Sequence, residues 1–270
     1  MLKKIKGWDG IKITYDIHRK KNKLFLIFIH GLGTNKTIWK KERKILEERG
    51  FSTLAVDLRG HGLSERPKEI KDYEIDKFAK DIFYILKKEK IKKFVVVGHS
   101  FGGIVLISFH KLYPSLSKGY VMIDSTYKLP NKFLKKIKKH PFIMDIIEKI
   151  ASKIKRKEIK KENSENKRIN LDWNLFKIIK WIYETGFCSW VYTLEEIAKF
   201  NGLNILKTIE QPVLILQGEN DSIFDLKIAK KMKKLIKNSK LEIIPYENHH
   251  IIINNPEEIT KKILDFIQKV

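Results

Sequence analysis

FVVVGHSFGGIVLISFHKLY, residues 94–113, changes character at its centre. Phe94 to Val97 form a short run rich in β-branched side chains, the composition of a strand buried on both faces. From about Gly103 the apolar positions Ile104 to Tyr113 fall at helical spacing. Between them Gly98-His99-Ser100-Phe101-Gly102 reads G-x-S-x-G. A serine at such a strand-to-helix turn takes a strained backbone, and the flanking glycines let neighbouring segments approach without a Cβ clash. Its hydroxyl stands clear of the sheet at a helix N-terminus, where the helix dipole favours developing negative charge. Two glycines and a serine at this spacing recur by chance in on the order of one chain in ten, so the strand before and the helix after carry the meaning.

Similar apolar runs appear on both sides of this turn: LFLIFI at 24–29, STLAV at 52–56, GYVMI at 119–123, PVLIL at 212–216 and KLEII at 240–244. Residues 3–6 and 11–17 alternate around Trp8-Asp9-Gly10 and read as an N-terminal edge hairpin. Ile75, Phe78, Ile82, Ile85 and Leu86 share one helical stripe, and Pro256 opens a last helix carrying Ile259, Ile263, Leu264 and Ile267. Strands alternating with helices predict an α/β fold, a doubly wound and mostly parallel sheet.

The alternation stops between residues 127 and 208. This stretch is lysine-rich to about residue 168, then aromatic, with Trp173, Phe176, Trp181, Tyr183, Phe187, Trp190 and Tyr192. Its length predicts an inserted helical cap over 127–208, leaving 1–126 and 209–270 as the α/β core. The polar run Lys160 to Asn170 is expected to form a loop within the cap. The aromatics fit either an apolar acyl or alcohol pocket or the cap's own seam with the core. Lysines at 149–161 read as a solvated helix face.

The 270 residues carry a formal charge of +24. A nucleic-acid footprint gathers on one face, whereas these lysines recur in nearly every segment, so no specific nucleic-acid partner is expected. One cysteine, Cys188, permits no internal disulfide and offers no metal-ligand spacing, which fits the reducing cytoplasm. The basic N-terminus lacks an apolar run behind it, and no apolar run approaches the length of a transmembrane segment.

An alcohol needs a base to act as a nucleophile near neutral pH, and the base needs a partner to fix its tautomer. Two later strands end in loops that offer these groups: Gly218-Glu219-Asn220-Asp221, and Pro245 to the histidine pair His249 and His250. A tetrahedral oxyanion needs two N–H donors; the Phe101 amide is one, and Leu32, between Gly31 and Gly33, is placed to give the other. His30 reads as an orienting residue, and His61 and His99 as packing residues.

HGLG at 30–33, DLRGHGLS at 57–64, GHSFGG at 98–103, GEND at 218–221 and NHHIIINNPEEI at 248–259 together resemble the α/β-hydrolase superfamily, in its capped esterase and lipase-like branch. The resemblance covers nearly the whole chain outside the cap. It implies Ser100 as nucleophile, Asp221 as acid and His249, seven residues before Pro256, as base. Asp124 and His250 stay as alternatives for the acid and the base. Epoxide and haloalkane hydrolases of this fold place an aspartate where this chain has Ser100. The activity implied is hydrolysis of a small-molecule carboxylic ester, with thioester or carbon–carbon hydrolysis or a non-catalytic binding role as the other readings, and with no metal or organic cofactor.

Overall fold

A computed structural model of the chain describes residues 1–21, 24–130, 172 and 175–270. The runs at 160–170 and 149–161 and the side chains of Trp173 and Phe176 lie outside the described residues. Eight strands form one sheet: β1 Leu2–Lys6, β2 Lys12–His18, β3 Phe25–Ile29, β4 Ser52–Asp57, β5 Phe94–His99, β6 Gly119–Ile123, β7 Val213–Gly218 and β8 Ser239–Ile244. Their order is β1-β2-β4-β3-β5-β6-β7-β8. β2 runs antiparallel to both β1 and β4, and every other pairing is parallel.

Five of the six apolar runs become strands that bury both faces; the sixth forms β8 at the sheet edge, where Ile243 is exposed. Every residue of β3, β4, β5, β6 and β7 is buried. Ile27, Ile29, Val96 and Met122 face one core, while Leu26, Phe28, Val95, Val97 and Val121 face the other. At about 1.5–3 kcal/mol per large apolar side chain, this double burial outweighs weak local preferences. α1 (Lys40–Glu48) sends Leu46 into the second core, whereas α2 (Ile75–Lys88) and α3 (Phe101–Leu112) cover the first. α3 is buried on all sides from Phe101 to His110, as a helix wedged between sheet and neighbouring helix must be.

Between β6 and β7 the chain forms α4 (Leu175–Thr185) and α5 (Phe187–Lys199). α6 (Leu226–Leu235) follows β7, with the Asp225 side chain accepting from the Lys227 amide at 2.9 Å as its N-cap. α7 (Pro256–Ile267) begins on proline and buries Ile259 and Ile263 in the second core. No helix among the described residues is long and apolar enough to cross a membrane.

Strand register decides where the chemistry can lie. Ile29 pairs with Gly98 and Val56, and His99 with Ile123, which in turn pairs with Leu216. The four parallel strands β3, β5, β6 and β7 therefore end along one line. Residues 30–33, Ser100, Asp124 and the loop after Gly218 emerge together on that edge, where open α/β sheets bind ligands.

Candidate active site

Ser100 has φ +52° and ψ −117°, a conformation unfavourable for a residue with a Cβ. Neighbouring backbone holds it there: its amide donates to the Ile123 carbonyl at 2.9 Å, and its carbonyl accepts from the Ser125 hydroxyl at 2.8 Å. A Cβ on Gly98 would lie 2.5 Å from the Gly102 carbonyl oxygen, and one on Gly102 would lie 2.3 Å from that of Ile29. Both glycines are thus required by contact between strand and helix. The helix starts at Phe101, directly after the serine, rather than near Gly103.

His249 Nε2 lies 3.0 Å from Ser100 Oγ, and its Nδ1 lies 2.8 Å from Asp221 Oδ2. The carboxylate at Nδ1 keeps a proton there and leaves the Nε2 lone pair toward the serine hydroxyl. Asp221 is itself fixed. Its Oδ1 accepts from the amides of Ile223 and Phe224 at 2.8 and 2.9 Å, and its Oδ2 also accepts from Gln217 Nε2 at 2.9 Å. Burial opposes a charged His249 ring, but the Asp221 carboxylate outweighs it by its charge and its hydrogen bond, and Asp124 and then Asp172 act in the same direction. Together they lift the imidazole to about 9.

The His249 backbone is gripped from both sides. Its N–H donates to Asp172 Oδ1 at 2.8 Å, and its C=O accepts from His99 Nε2 at 2.9 Å. Phe224 packs edge-on against the ring at 5.2 Å. His250 points elsewhere, its ring 5.3 Å from that of Trp181.

Asp124 ends β6 on the same edge but makes a different bond: its Oδ1 accepts from the Gly218 amide at 2.8 Å. Oδ2 is buried without a partner among the described residues. Burial, then the charge of Asp221, push this carboxyl well above the usual range. His99, Asp124 and His249 offer atoms within 4.8 Å of one another, the geometry of a possible metal group. His249 uses both its ring nitrogens, whereas His99 Nδ1 and Asp124 Oδ2 have no partner among the described residues. A metal there would have to displace one of the His249 bonds.

Leu32 and Phe101 border the space beside Ser100, and neither amide is paired with a backbone acceptor among the described residues. The turn carrying Leu32 is set by His30, whose Nε2 accepts from the Leu58 amide at 3.0 Å and whose Nδ1 donates to the Gly31 carbonyl at 2.8 Å. Burial lowers His30 to about 4, so it stays neutral and serves as a brace. Asp57 accepts from buried Lys36, Arg59 makes two 2.7 Å bonds to Asp81, and burial lowers His61 to about 3. None of these bonds reaches Ser100 or His249.

Ser100 and His249 share a cavity of about 170 Å³. Its walls include Trp181, Trp190, Leu194 and Ile197 from α4 and α5, with Ile223 and Phe224 from the loop after β7. Asp172 is the one carboxylate in the described lining, and no lysine or arginine lies there. Not every aromatic of this region faces the cavity: Tyr192 packs on Tyr73 at 5.6 Å, and Tyr73 also bonds Ser189 at 2.7 Å, making a seam with the core.

A family model described as "alpha/beta hydrolase fold" matches residues 25–147 and 131–256. The chain belongs to this α/β-hydrolase family. It is similar to epoxide hydrolase 1 of Caenorhabditis elegans, at 24% identity over 98% of this chain and 72% of that protein. It is also similar to human protein ABHD8, at 22% identity over 90% of this chain, which spans only 54% of that protein. Among solved structures, a thermophilic esterase from Thermogutta terrifontis superimposes with a TM-score of 0.78 at 21% identity, covering 100% of this chain and 98% of the other. This last likeness shows the fold.

In this α/β hydrolase the structure brings Ser100, Asp221 and His249 into one hydrogen-bonded chain, and leaves Asp124 and His250 outside it. Two residues of the site have no counterpart in the sequence reading. Gln217 sits near the end of an apolar strand and reads as one more strand residue, and Asp172 stands alone in a segment with no periodicity. No local signal marks either one.

Proposed function

We propose that this chain is a serine hydrolase of small, neutral carboxylic esters, working through an acyl-enzyme on Ser100. The observation that carries the reading is the unbroken relay from Asp221 through His249 to Ser100, with spacings of 2.8 and 3.0 Å, beside two amides that meet no backbone acceptor among the described residues.

In this reading His249 Nε2 takes the Ser100 proton as Oγ attacks the ester carbonyl, and the Leu32 and Phe101 amides stabilise the resulting oxyanion. His249 then protonates the departing alkoxide, which leaves as the alcohol. A water molecule repeats the steps, the carboxylic acid is released, and Ser100 recovers its proton. Asp221 stays ionised throughout and orients the ring. No step calls for a metal or an organic cofactor. The apolar walls favour a compact hydrocarbon acyl or alcohol group, since a dry cavity of about 150 Å³ holds a molecule the size of benzene. Without a lysine or arginine in the described lining, a carboxylate on the substrate would be poorly held. Helices α4 and α5 act as a cap over this cavity, with Trp181 and Trp190 on its inner face. The single cysteine, Cys188, exposed and free, suits a protein working in the cytoplasm.

The test is covalent labelling. A fluorophosphonate should modify Ser100 in the native protein, as located by peptide mass spectrometry, and Ser100→Ala should lose both labelling and turnover of short-chain chromogenic esters. Undiminished labelling of the variant overturns the assignment.

A further inference from the structure

The His249 loop is tied to the chain between β6 and β7 by one carboxylate. Asp172 is 7% exposed, and its two oxygens are used by donors from two different loops. Oδ1 accepts from the His249 amide at 2.8 Å; Oδ2 accepts from the Ser222 amide at 2.8 Å and from the Ser222 hydroxyl at 2.9 Å. Ser222 immediately follows Asp221. One side chain thus spans the loops that carry the acid and the base of the relay.

We propose that Asp172 is a positioning residue: it holds the acid loop and the base loop at fixed separation, and so makes the alignment of His249 with Ser100 depend on the placement of the β6–β7 connection. This inference rests on the serine-hydrolase reading above. The amide and carbonyl of His249 flank the Cα from which its side chain departs, so the Asp172 and His99 bonds together set the direction of the imidazole. Removing either leaves the residue free to turn about the other. A misplacement of about 1 Å between reacting groups can reduce the rate roughly 100-fold.

Only a carboxylate satisfies this place. All three partners are donors, so an asparagine must turn its NH₂ toward at least one N–H or O–H. The charge matters as well. The ionisable groups around the His249 ring are Asp221, Asp124, Asp172, His99 and His250; burial pushes the Asp124 carboxyl up and the His99 imidazole down, and Asp172 adds negative charge from the β6–β7 side. Loss of that charge makes the imidazolium easier to deprotonate.

The experiment compares Asp172→Asn and Asp172→Glu with the native chain, using kcat and KM on a neutral short-chain p-nitrophenyl ester and the pH profile of kcat/KM. Asp172→Asn should lower kcat by about 10- to 100-fold with KM nearly unchanged, and should move the acid limb of kcat/KM down by about half a pH unit or more. Asp172→Glu, which keeps the charge, should leave that limb in place. If Asp172→Asn does not fold by circular dichroism, Ser222→Ala removes one of the three bonds and should give a smaller kcat loss in the same direction. The proposal is overturned if Asp172→Asn leaves kcat and the limb unchanged, if it raises KM alone, as a mere pocket wall would, or if kcat falls while the limb stays. Failure of the serine reading is seen separately, as labelling that survives Ser100→Ala in a chain with Asp172 intact.

Discussion

Replacing Asp221 by asparagine should disable the relay by reversing one proton. The side-chain oxygen facing the Ile223 and Phe224 amides must remain an acceptor, because both amides donate to it at 2.8 and 2.9 Å. The new NH₂ is therefore forced into the place of Oδ2, against His249 Nδ1 and beside the donating Gln217 amide. His249 can then only accept at Nδ1, its proton moves to Nε2, and an N–H faces the serine hydroxyl that it should deprotonate. A base in the wrong tautomer loses roughly 10⁴ in kcat, about 5 kcal/mol of transition-state stabilisation. Asp124→Asn is the control. That carboxyl is pushed well above the usual range and, among the described residues, accepts only from the Gly218 amide, which an asparagine oxygen can still serve, so kcat should change by less than about fivefold, under ~1 kcal/mol. Steady-state hydrolysis of a short-chain p-nitrophenyl ester, with folding checked by circular dichroism, reads both variants. A larger loss in Asp124→Asn than in Asp221→Asn, or less than a tenfold loss in Asp221→Asn, would refute the reasoning.

His249→Ala should remove turnover by roughly 10²–10⁴ or more, while His250→Ala, whose ring packs on Trp181, should act mainly on KM; kcat at saturating ester separates the two. Because His249 must be neutral to accept a proton and is lifted to about 9, kcat/KM should rise with pH from neutrality and level off only near that value, and an acid limb at or below 6.5 would contradict the described geometry. Glu42 is buried in α1 with both oxygens unpartnered among the described residues, and burial raises it to about 8. Its ordinary value in the unfolded chain is lower, so the folded state is penalised progressively from pH ~4.5 to ~8, on the order of 3 kcal/mol at pH 7. Glu42→Met should therefore raise Tm more at pH 8 than at pH 5 in paired thermal melts.

Strands β3 to β7 were legible because burial on both faces leaves an unbroken apolar run, and β8, an edge strand, was marked only by Leu241, Ile243 and Ile244; each run lies within one or two residues of its strand. α1 and α6 were not named from sequence. Each buries only two side chains, Glu42 and Leu46 in one and Ala229 and Met232 in the other, so neither shows a full apolar stripe. Ser100, Asp221 and His249 could be picked out because each stands just past the end of a strand, where register rather than local preference sets position. Asp172 has no such anchor. Its partners lie 50 and 77 residues away, and the bonds that define it exist only once the two loops have met.

The same separations bear on how the chain acquires activity. The hydroxyl at 100 and the ring at 249 are 149 residues apart in sequence, and His249 is further gripped from residues 99 and 172. Contacts at such range form late, after the closure entropy of long loops has been overcome. During synthesis the elbow around Ser100 can emerge and fold against β3 and β6 while its base is still unmade. On the proposed serine-hydrolase reading, a growing polypeptide would carry an alcohol without its base, and reaction with an ester would report that the last loop has docked.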